Sequence, residues 1–320
     1  MEIEGALASG DPASFQSSLP VHMDGSCNGL QHYAALGRDL SGGRAVNLVP
    51  GEGPQDVYSE IARLVARRVA ADASRGSAHA RALLAATAVD RKLVKQTVMT
   101  SVYGVTFVGA REQIGSRLRE RGFQDDAMLY KVSCYAAKAT LDSLHEMFSS
   151  AKHIMHWLSD CARVVARAGQ SVSWVTPLGL PIVQPYRKSD KQHIRTLLQR
   201  LVLVENNDAL PVLKMRQRTA FPPNYIHSID STHMMMTATR CAQEGMAFAG
   251  VHDSFWTHAG DVEKMNAILR DCFVELHSQP LLEDLINHLQ TAHPNLTFPP
   301  IPDTGELDLD CVRDSTYFFS

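Results

Sequence analysis

Arg91-Lys92-Leu93-Val94-Lys95-Gln96-Thr97-Val98-Met99-Thr100-Ser101-Val102-Tyr103-Gly104 spaces two cations and one tyrosine along what reads as a single helix, with Asp90 placed to cap its start and Gly104 to end it. Arg91 and Lys95 lie four residues apart, about 40° of helical rotation, so they share a face; Tyr103 follows about 12 Å further along the axis. That face suits a nucleotide, with cations for the phosphates at one end and an aromatic ring for sugar or base at the other. The pattern equally describes an amphipathic surface helix with two solvated cations and a half-buried tyrosine. The helix alone leaves both readings open.

Outward from this stretch, the chain has the composition of a globular protein. Of 320 residues, 45% are hydrophobic and 20% charged, enough for one large or two interleaved domains with a substantial core. A formal net charge of -3 gives no global basic field, so any nucleic-acid contact must rest on local patches. The six cysteines are scattered without a C-x-x-C pair, which points to reduced thiols in an intracellular compartment. The first twenty residues carry Glu2, Glu4 and Asp11 and no apolar core, so no targeting segment is expected in this chain. No apolar run reaches membrane-spanning length, and no membrane span is expected.

Leu19-Pro20-Val21-His22-Met23-Asp24 reads as a short strand ending in a carboxylate, turning through Gly25-Ser26-Cys27 into a helix from about Asn28 that carries Leu30, Tyr33, Ala34 and Gly37 on one stripe. Asp24 alone is as readily a capping aspartate as a ligand. A loop through Ser41-Gly42-Gly43 leads to a helix expected over 55–71, with Tyr58 in its first turn. Helices are expected over 109–119, 128–148, 151–168 and 262–277. Strand character appears at 173–175, 181–183 and 201–204, with Asn206-Asn207-Asp208 as a hairpin tip.

Between Arg187 and Arg218 eight cations (Arg187, Lys188, Lys191, Arg195, Arg200, Lys214, Arg216, Arg218) face three acids (Asp190, Glu205, Asp208), a basic ribbon that can enter a DNA groove or simply sit in solvent. Phe221-Pro222-Pro223-Asn224 is expected to start a helix carrying His227, Asp230 and His233, whose spacing makes zinc a minor candidate. An apolar strand ending at Val251, His252-Asp253-Ser254 and a second strand from Phe255 place Asp253 at a hairpin tip. The aromatic end, Tyr317-Phe318-Phe319, is expected to pack back onto the body.

Two strand-end aspartates plus Arg91, Lys95 and Tyr103 are the parts needed for two-metal phosphoryl transfer, with carboxylates for two Mg²⁺ ions, the Gly25 carbonyl completing a shell, and cations for the phosphates. Together, Asp24-Gly25-Ser26-Cys27-Asn28-Gly29-Leu30-Gln31-His32-Tyr33, the Arg91-x3-Lys95-x7-Tyr103-Gly104 helix, Asn224-Tyr225-Ile226-His227-Ser228 and His252-Asp253-Ser254 resemble the ordered motifs of bacteriophage-type single-subunit RNA polymerases. Among these the chain is most similar to the C-terminal catalytic part of the mitochondrial enzymes, over nearly its whole length. The resemblance implies an α+β, mostly helical, right-hand palm-and-fingers fold with a small antiparallel palm sheet. It implies palm at 1–45, fingers at 46–227 with a specificity-loop-like hairpin at about 186–218, and palm with the C-terminal tail at 228–320.

By the same resemblance, Asp24 and Asp253 are metal ligands, Arg91 and Lys95 contact the triphosphate, and Lys95 belongs to the catalytic set. Tyr103 and His227 sit by the ribose, and Tyr58 by template and nucleotide. The implied partners are DNA template and promoter, nascent RNA, rNTPs and initiation factors, in a mitochondrion or a plastid, with the family's promoter-binding and thumb regions lying upstream of Met1. Klenow-like DNA polymerases share the Arg-x3-Lys-x7-Tyr-Gly helix but carry a glutamate five residues after the first aspartate, where this chain has Gly29, and commonly read His-Asp-Glu where it has His252-Asp253-Ser254; both departures favour ribonucleotides. A catalytically incomplete nucleic-acid-binding fragment is the reading from a different class.

Overall fold

Helices dominate the computed structural model, which describes residues 2–8, 16–123, 125–195, 199–205 and 210–319. In chain order they are α1 (Glu2–Ala8), α2 (Asn28–Leu36), α3 (Leu40–Ala45), α4 (Val57–Ser74), α5 (Ala78–Ala86), α6 (Arg91–Ser101), α7 (Phe107–Glu120), α8 (Asp126–Met147), α9 (Ser149–Arg167), α10 (Lys214–Gln243), α11 (Val262–His277) and α12 (Leu281–Ala292). The strands β1 (Pro20–Asp24), β2 (Ser173–Val175), β3 (Pro181–Val183), β4 (Asp190–Arg195), β5 (Arg200–Glu205), β6 (Ala249–Val251) and β7 (Ser254–His258) form three small antiparallel sheets, ordered β1-β7-β6, β2-β3 and β4-β5. The chain is thus α+β and mostly helical.

Local chemistry sets the helix starts. Asp56, Ser77, Asp90, Thr106 and Asp125 each accept a backbone N–H from the first turn of α4, α5, α6, α7 and α8 in succession. Each such cap is worth about 1 kcal/mol. These five helices pack on one another, while α9 lays its stripe of Ile154, Trp157, Leu158, Cys161 and Val165 against the neighbouring α10. Helix α2 is buried along its whole length rather than on one stripe, because α9, α10 and the C-terminal tail all pack around it. All six cysteines are free thiols, and among the described residues no helix is long and apolar enough to cross a membrane.

Two sequence expectations change. Ser41-Gly42-Gly43 is not a loop but lies within α3, where Asp39 caps the helix at Gly42 and a side chain on Gly42 would meet Phe148 at 2.9 Å. Helix α10 starts at Lys214 rather than after the prolines, so Lys214, Arg216 and Arg218 belong to a helix and not to the ribbon. Pro222 and Pro223 remove two N–H donors from its interior, yet both rings are buried and the carbonyl of Thr219, four residues before Pro223, faces Gly104. Tertiary packing therefore carries the helix through a local start signal. The expected tip at Asn206-Asn207-Asp208 lies outside the described residues; β4 and β5 pair from Asp190 opposite Glu205 to Arg195 opposite Arg200.

The tail does pack back. Phe318 and Phe319 are buried, Phe319 stacks on Phe255 of β7 with centroids 5.3 Å apart, and the Phe318 carbonyl accepts from Gln31 Nε2 at 3.0 Å. Gly25 bridges to Phe319, so the tail buttresses the corner that follows Asp24.

Behind the central sheet lies a buried histidine cluster. His32 Nε2 donates to Asp230 Oδ1 at 3.1 Å, His32 Nδ1 lies 2.9 Å from His277 Nε2, and His233 Nε2 donates to the Leu269 carbonyl at 2.8 Å. Burial pushes His233 down from 6.5 to about 4 and holds His277 well below the ordinary histidine range. A histidine whose folded pKa is depressed stabilises the fold fully above its unfolded pKa and loses that contribution as pH falls. Stability is therefore expected to fall as pH drops from 6.5 towards 4, where burial forces His233 to stay neutral. Thermal unfolding of His233→Gln across this window is expected to show a shallower acid limb than the parent; an identical slope would exclude His233 as a contributor.

Candidate active site

Strand β1 pairs with β7 so that Asp24 lies opposite Ser254, and Asp253 immediately precedes that partner in the two-residue connection His252-Asp253 between β6 and β7. His252 carries φ 56°, the left-handed conformation that lets so short a connection close. The two aspartates, remote in sequence, meet at one end of one sheet. Burial and then the negative charge of Asp253 push the Asp24 carboxyl above its ordinary value, against the opposing influence of His22 and the Gly25 N–H.

Asn28, in the first turn of α2, completes this corner. Its Nδ2 donates to the Asp253 carbonyl at 3.0 Å, and its Oδ1 is buried with no hydrogen-bond partner. Gly25 lets this side chain approach, since a Cβ there would stand 1.7 Å from Asn28 Oδ1 and 2.7 Å from Gln31 Oε1. Two repelling carboxylates beside an orphaned amide oxygen and a glycine-lined cradle fit a hard divalent cation, which takes oxygen donors. Among the described residues no group of three or more His, Cys, Asp or Glu side chains forms a metal cluster. The zinc candidate His227, Asp230 and His233 is accordingly not assembled: Asp230 engages His32, His233 engages Leu269, and His227 faces Tyr103.

The cations of α6 gather over Tyr58 in the first turn of α4. Its ring is buried beneath both, with the Arg91 guanidinium carbon 5.2 Å and Lys95 Nζ 5.7 Å from its centroid. Burial raises the pKa values of both the Tyr58 hydroxyl and the thiol of Cys27, three residues after Asp24. Arg91 is also committed elsewhere: its Nε donates to Asp56 Oδ2 at 2.6 Å in an exposed ion pair. Burial works to raise Asp56, and the hydrogen bonds from Ser59 and Arg91 outweigh it, leaving the carboxyl below its ordinary value.

Helix α6 ends at Ser101, so Tyr103 lies in the turn beyond it, closed by Gly104 at φ 76°. That turn aims the Tyr103 ring at the exposed His227, with centroids 4.5 Å apart and planes tilted by 34°. Burial first, then the charges of Cys27, Asp230, Asp253 and Asp24, push the Tyr103 hydroxyl upward. Gly29 has a packing role of its own: a Cβ there would meet Val102 at 2.8 Å and lie 3.7 Å from the Tyr103 ring. The absence of a side chain at Gly29 thus sets how closely the Tyr103 turn approaches α2.

The structure brings Asp24, Gly25 and Asp253 to one sheet end, sets Arg91 and Lys95 over Tyr58, and pairs Tyr103 with His227. Asn28, Asp56, Cys27 and the His32–Asp230 pair were missed. Cys27, Asn28 and His32 stand within the quoted Asp24–Tyr33 motif and Asp230 within the zinc candidate, whereas nothing local marks Asp56.

The chain belongs to the DNA-dependent RNA polymerase family, whose model matches residues 1–296. It is 55% identical to DNA-directed RNA polymerase 1, mitochondrial, of Nicotiana sylvestris and 57% identical to DNA-directed RNA polymerase 3B, chloroplastic, of Nicotiana tabacum, in alignments covering all of this chain and 32% and 33% of those proteins. DNA-directed RNA polymerase 2A of Nicotiana tabacum is 55% identical and is covered over 97% of its length. The chain spans about a third of the length of the first two relatives.

Proposed function

We propose that this chain carries the nucleotidyl-transfer centre of a single-subunit, organellar DNA-directed RNA polymerase. The observation that carries the reading is the convergence of Asp24 and Asp253 at one sheet end with Arg91 and Lys95 stacked over Tyr58 beside it. The RNA 3′ hydroxyl attacks the α-phosphorus of an rNTP, a P–O bond forms, and the bond to pyrophosphate breaks. Asp24 and Asp253, with the Gly25 carbonyl, would hold two Mg²⁺ ions, which when bound lower the pKa of the attacking hydroxyl and neutralise the leaving group. Lys95 and Arg91 bind the triphosphate and balance charge on the pyrophosphate. Tyr103 and His227 form a ring pair at the ribose, and Tyr58 supports the cations while lining the template side.

In this reading residues 1–45 and 228–320 form the palm and 46–227 the fingers of a right-hand polymerase fold, with the β4-β5 ribbon facing promoter DNA. DNA template, nascent RNA and rNTPs are the substrates, initiation factors are the expected partners, and the relatives' names support a mitochondrial or plastid home. The test is divalent-dependent extension of an RNA primer on a DNA scaffold, comparing this chain with one that includes the relatives' upstream portion. Failure of both to extend the primer would reject the assignment.

Triphosphate binding requires Arg91 to leave Asp56 or to share it. An exposed ion pair of this kind is worth about 0–1 kcal/mol, so the exchange is cheap. Asp56→Asn retains the α4 cap at Tyr58 N but frees Arg91, and is expected to lower the rNTP KM about threefold to fivefold with kcat little changed. Steady-state extension kinetics check this, and a raised KM would show that Asp56 orients Arg91 instead of competing for it.

A further inference from the structure

We propose that Asp230, its carboxylate fixed by His32, is a positioning residue that sets the Tyr103–His227 ring pair against the Asp24–Asp253 corner. The inference rests on the polymerase reading above for what the ring pair does, and on geometry for how it is held.

His32 and Asp230 join two helices that both lead into the site. Helix α2 begins four residues after Asp24 and anchors Asp253 through Asn28, while α10 carries His227 three residues before Asp230, on the same helical face. The bond from His32 Nε2 to Asp230 Oδ1, 3.1 Å long, therefore runs between the element that bears the carboxylate corner and the element that bears one ring of the pair. Behind it, His277 Nε2 lies 2.9 Å from His32 Nδ1. With His277 donating to His32 and His32 donating to Asp230, both bonds are satisfied in one direction, and the imidazole of His32 has a single ring orientation. The Asp230 side chain is 16% exposed and His32 only 1%, so water cannot readily replace either partner.

The half-buried Asp230 carboxyl is held below its ordinary range because the His32 hydrogen bond and the neighbouring histidines outweigh desolvation, so the tie keeps an ionised acceptor fixed in place. It thereby supplies direction. Asp230 lies one helical turn beyond His227 on α10, and the His227 ring packs on Tyr103 with centroids 4.5 Å apart, so a shift of the carboxylate moves the ring pair. Among the described residues no comparable polar tie links α10 to the Tyr103 turn, which meets it through Gly104 against Thr219 and Pro223.

The test is a double-mutant cycle in the active polymerase with Asp230→Ala, Asp230→Asn and His227→Ala. Asp230→Ala is expected to raise the rNTP KM and to lower the rNTP-over-dNTP preference about tenfold, whereas Asp230→Asn, which keeps an acceptor for His32, retains most of both. In the His227→Ala background, Asp230→Ala should change the preference little further. An Asp230→Ala enzyme with parental KM and preference, or effects that add fully to those of His227→Ala, would overturn the proposal and leave a structural role only. A second readout is independent of activity: with ¹³C-labelled histidine in the 320-residue chain, Asp230→Ala should displace the His227 ring resonance held beside Tyr103, and an unmoved resonance would also overturn it. Failure of the parent enzyme to extend a primer, with the resonance displaced, would count against the polymerase reading and not against the positioning.

Discussion

Asparagine in place of Asp24 is expected to abolish nucleotide addition and, in the absence of divalent cations, to raise the thermal midpoint of the protein. The two outcomes have one cause. Burial and the neighbouring Asp253 charge hold the Asp24 carboxyl above its ordinary value, so its ionised form works against the fold at neutral pH. A group with a raised folded pKa destabilises above that pKa and ceases to do so once protonated in both states, so the advantage of Asp24→Asn should be present at pH 7 and vanish towards pH 3. The same substitution removes an anionic oxygen donor, and losing several kcal/mol of charge stabilisation lowers the rate about 10³-fold or more. Calorimetry in chelator at both pH values, beside primer extension, checks the pair of effects. Added divalent cation should raise the midpoint of the parent and not of the variant. An unchanged or lowered midpoint for Asp24→Asn in chelator, or extension near the parental rate, would reject Asp24 as a strained metal-binding carboxylate.

That coupling of strain to function also marks what could be read in the sequence. Asp24 at a strand-to-helix corner, Asp253 in a hairpin connection, Asp90 capping α6 and the return of Phe318 and Phe319 follow from local rules: strand alternation, capping chemistry and the cost of exposing aromatic surface. The misses share a different origin. Pro222 and Pro223 signal a helix start that burial against neighbouring elements overrides, and Gly42 and Gly43 signal a loop where close packing on Phe148 and Leu307 asks for small residues in a helix. Tyr103 was placed on α6, but one turn beyond the helix end changes which way its ring points. The contacts of Arg91 with Asp56, His32 with Asp230 and Asn28 with the Asp253 carbonyl join residues 35, 198 and 225 positions apart, and no periodicity encodes a side-chain pair at such separation.

The roles of charge and shape at the aspartate corner separate in one further substitution. Gly25→Ala leaves every ionisable group in place, yet its methyl would stand 1.7 Å from Asn28 Oδ1, far inside contact distance. Gly25 is not required here by a left-handed backbone, so the strain falls on the side chains above it. The atom nearest the new methyl ends a flexible side chain, and the least costly response is for Asn28 to swing away. That movement breaks its 3.0 Å bond to the Asp253 carbonyl and lets the His252-Asp253 connection shift relative to Asp24. The fold is expected to survive with a loss of about 1–3 kcal/mol, as for other overpacked sites. Nucleotide addition is expected to fall about 10²-fold, because displacing a reacting group by about 1 Å costs that much. Primer extension, chemical denaturation and titration of the divalent-cation dependence measure the three effects. Weakened cation dependence with intact folding would assign the Gly25–Asn28 contact to shaping the carboxylate pair, and parental activity at parental cation concentration would show that Asn28 can move without consequence.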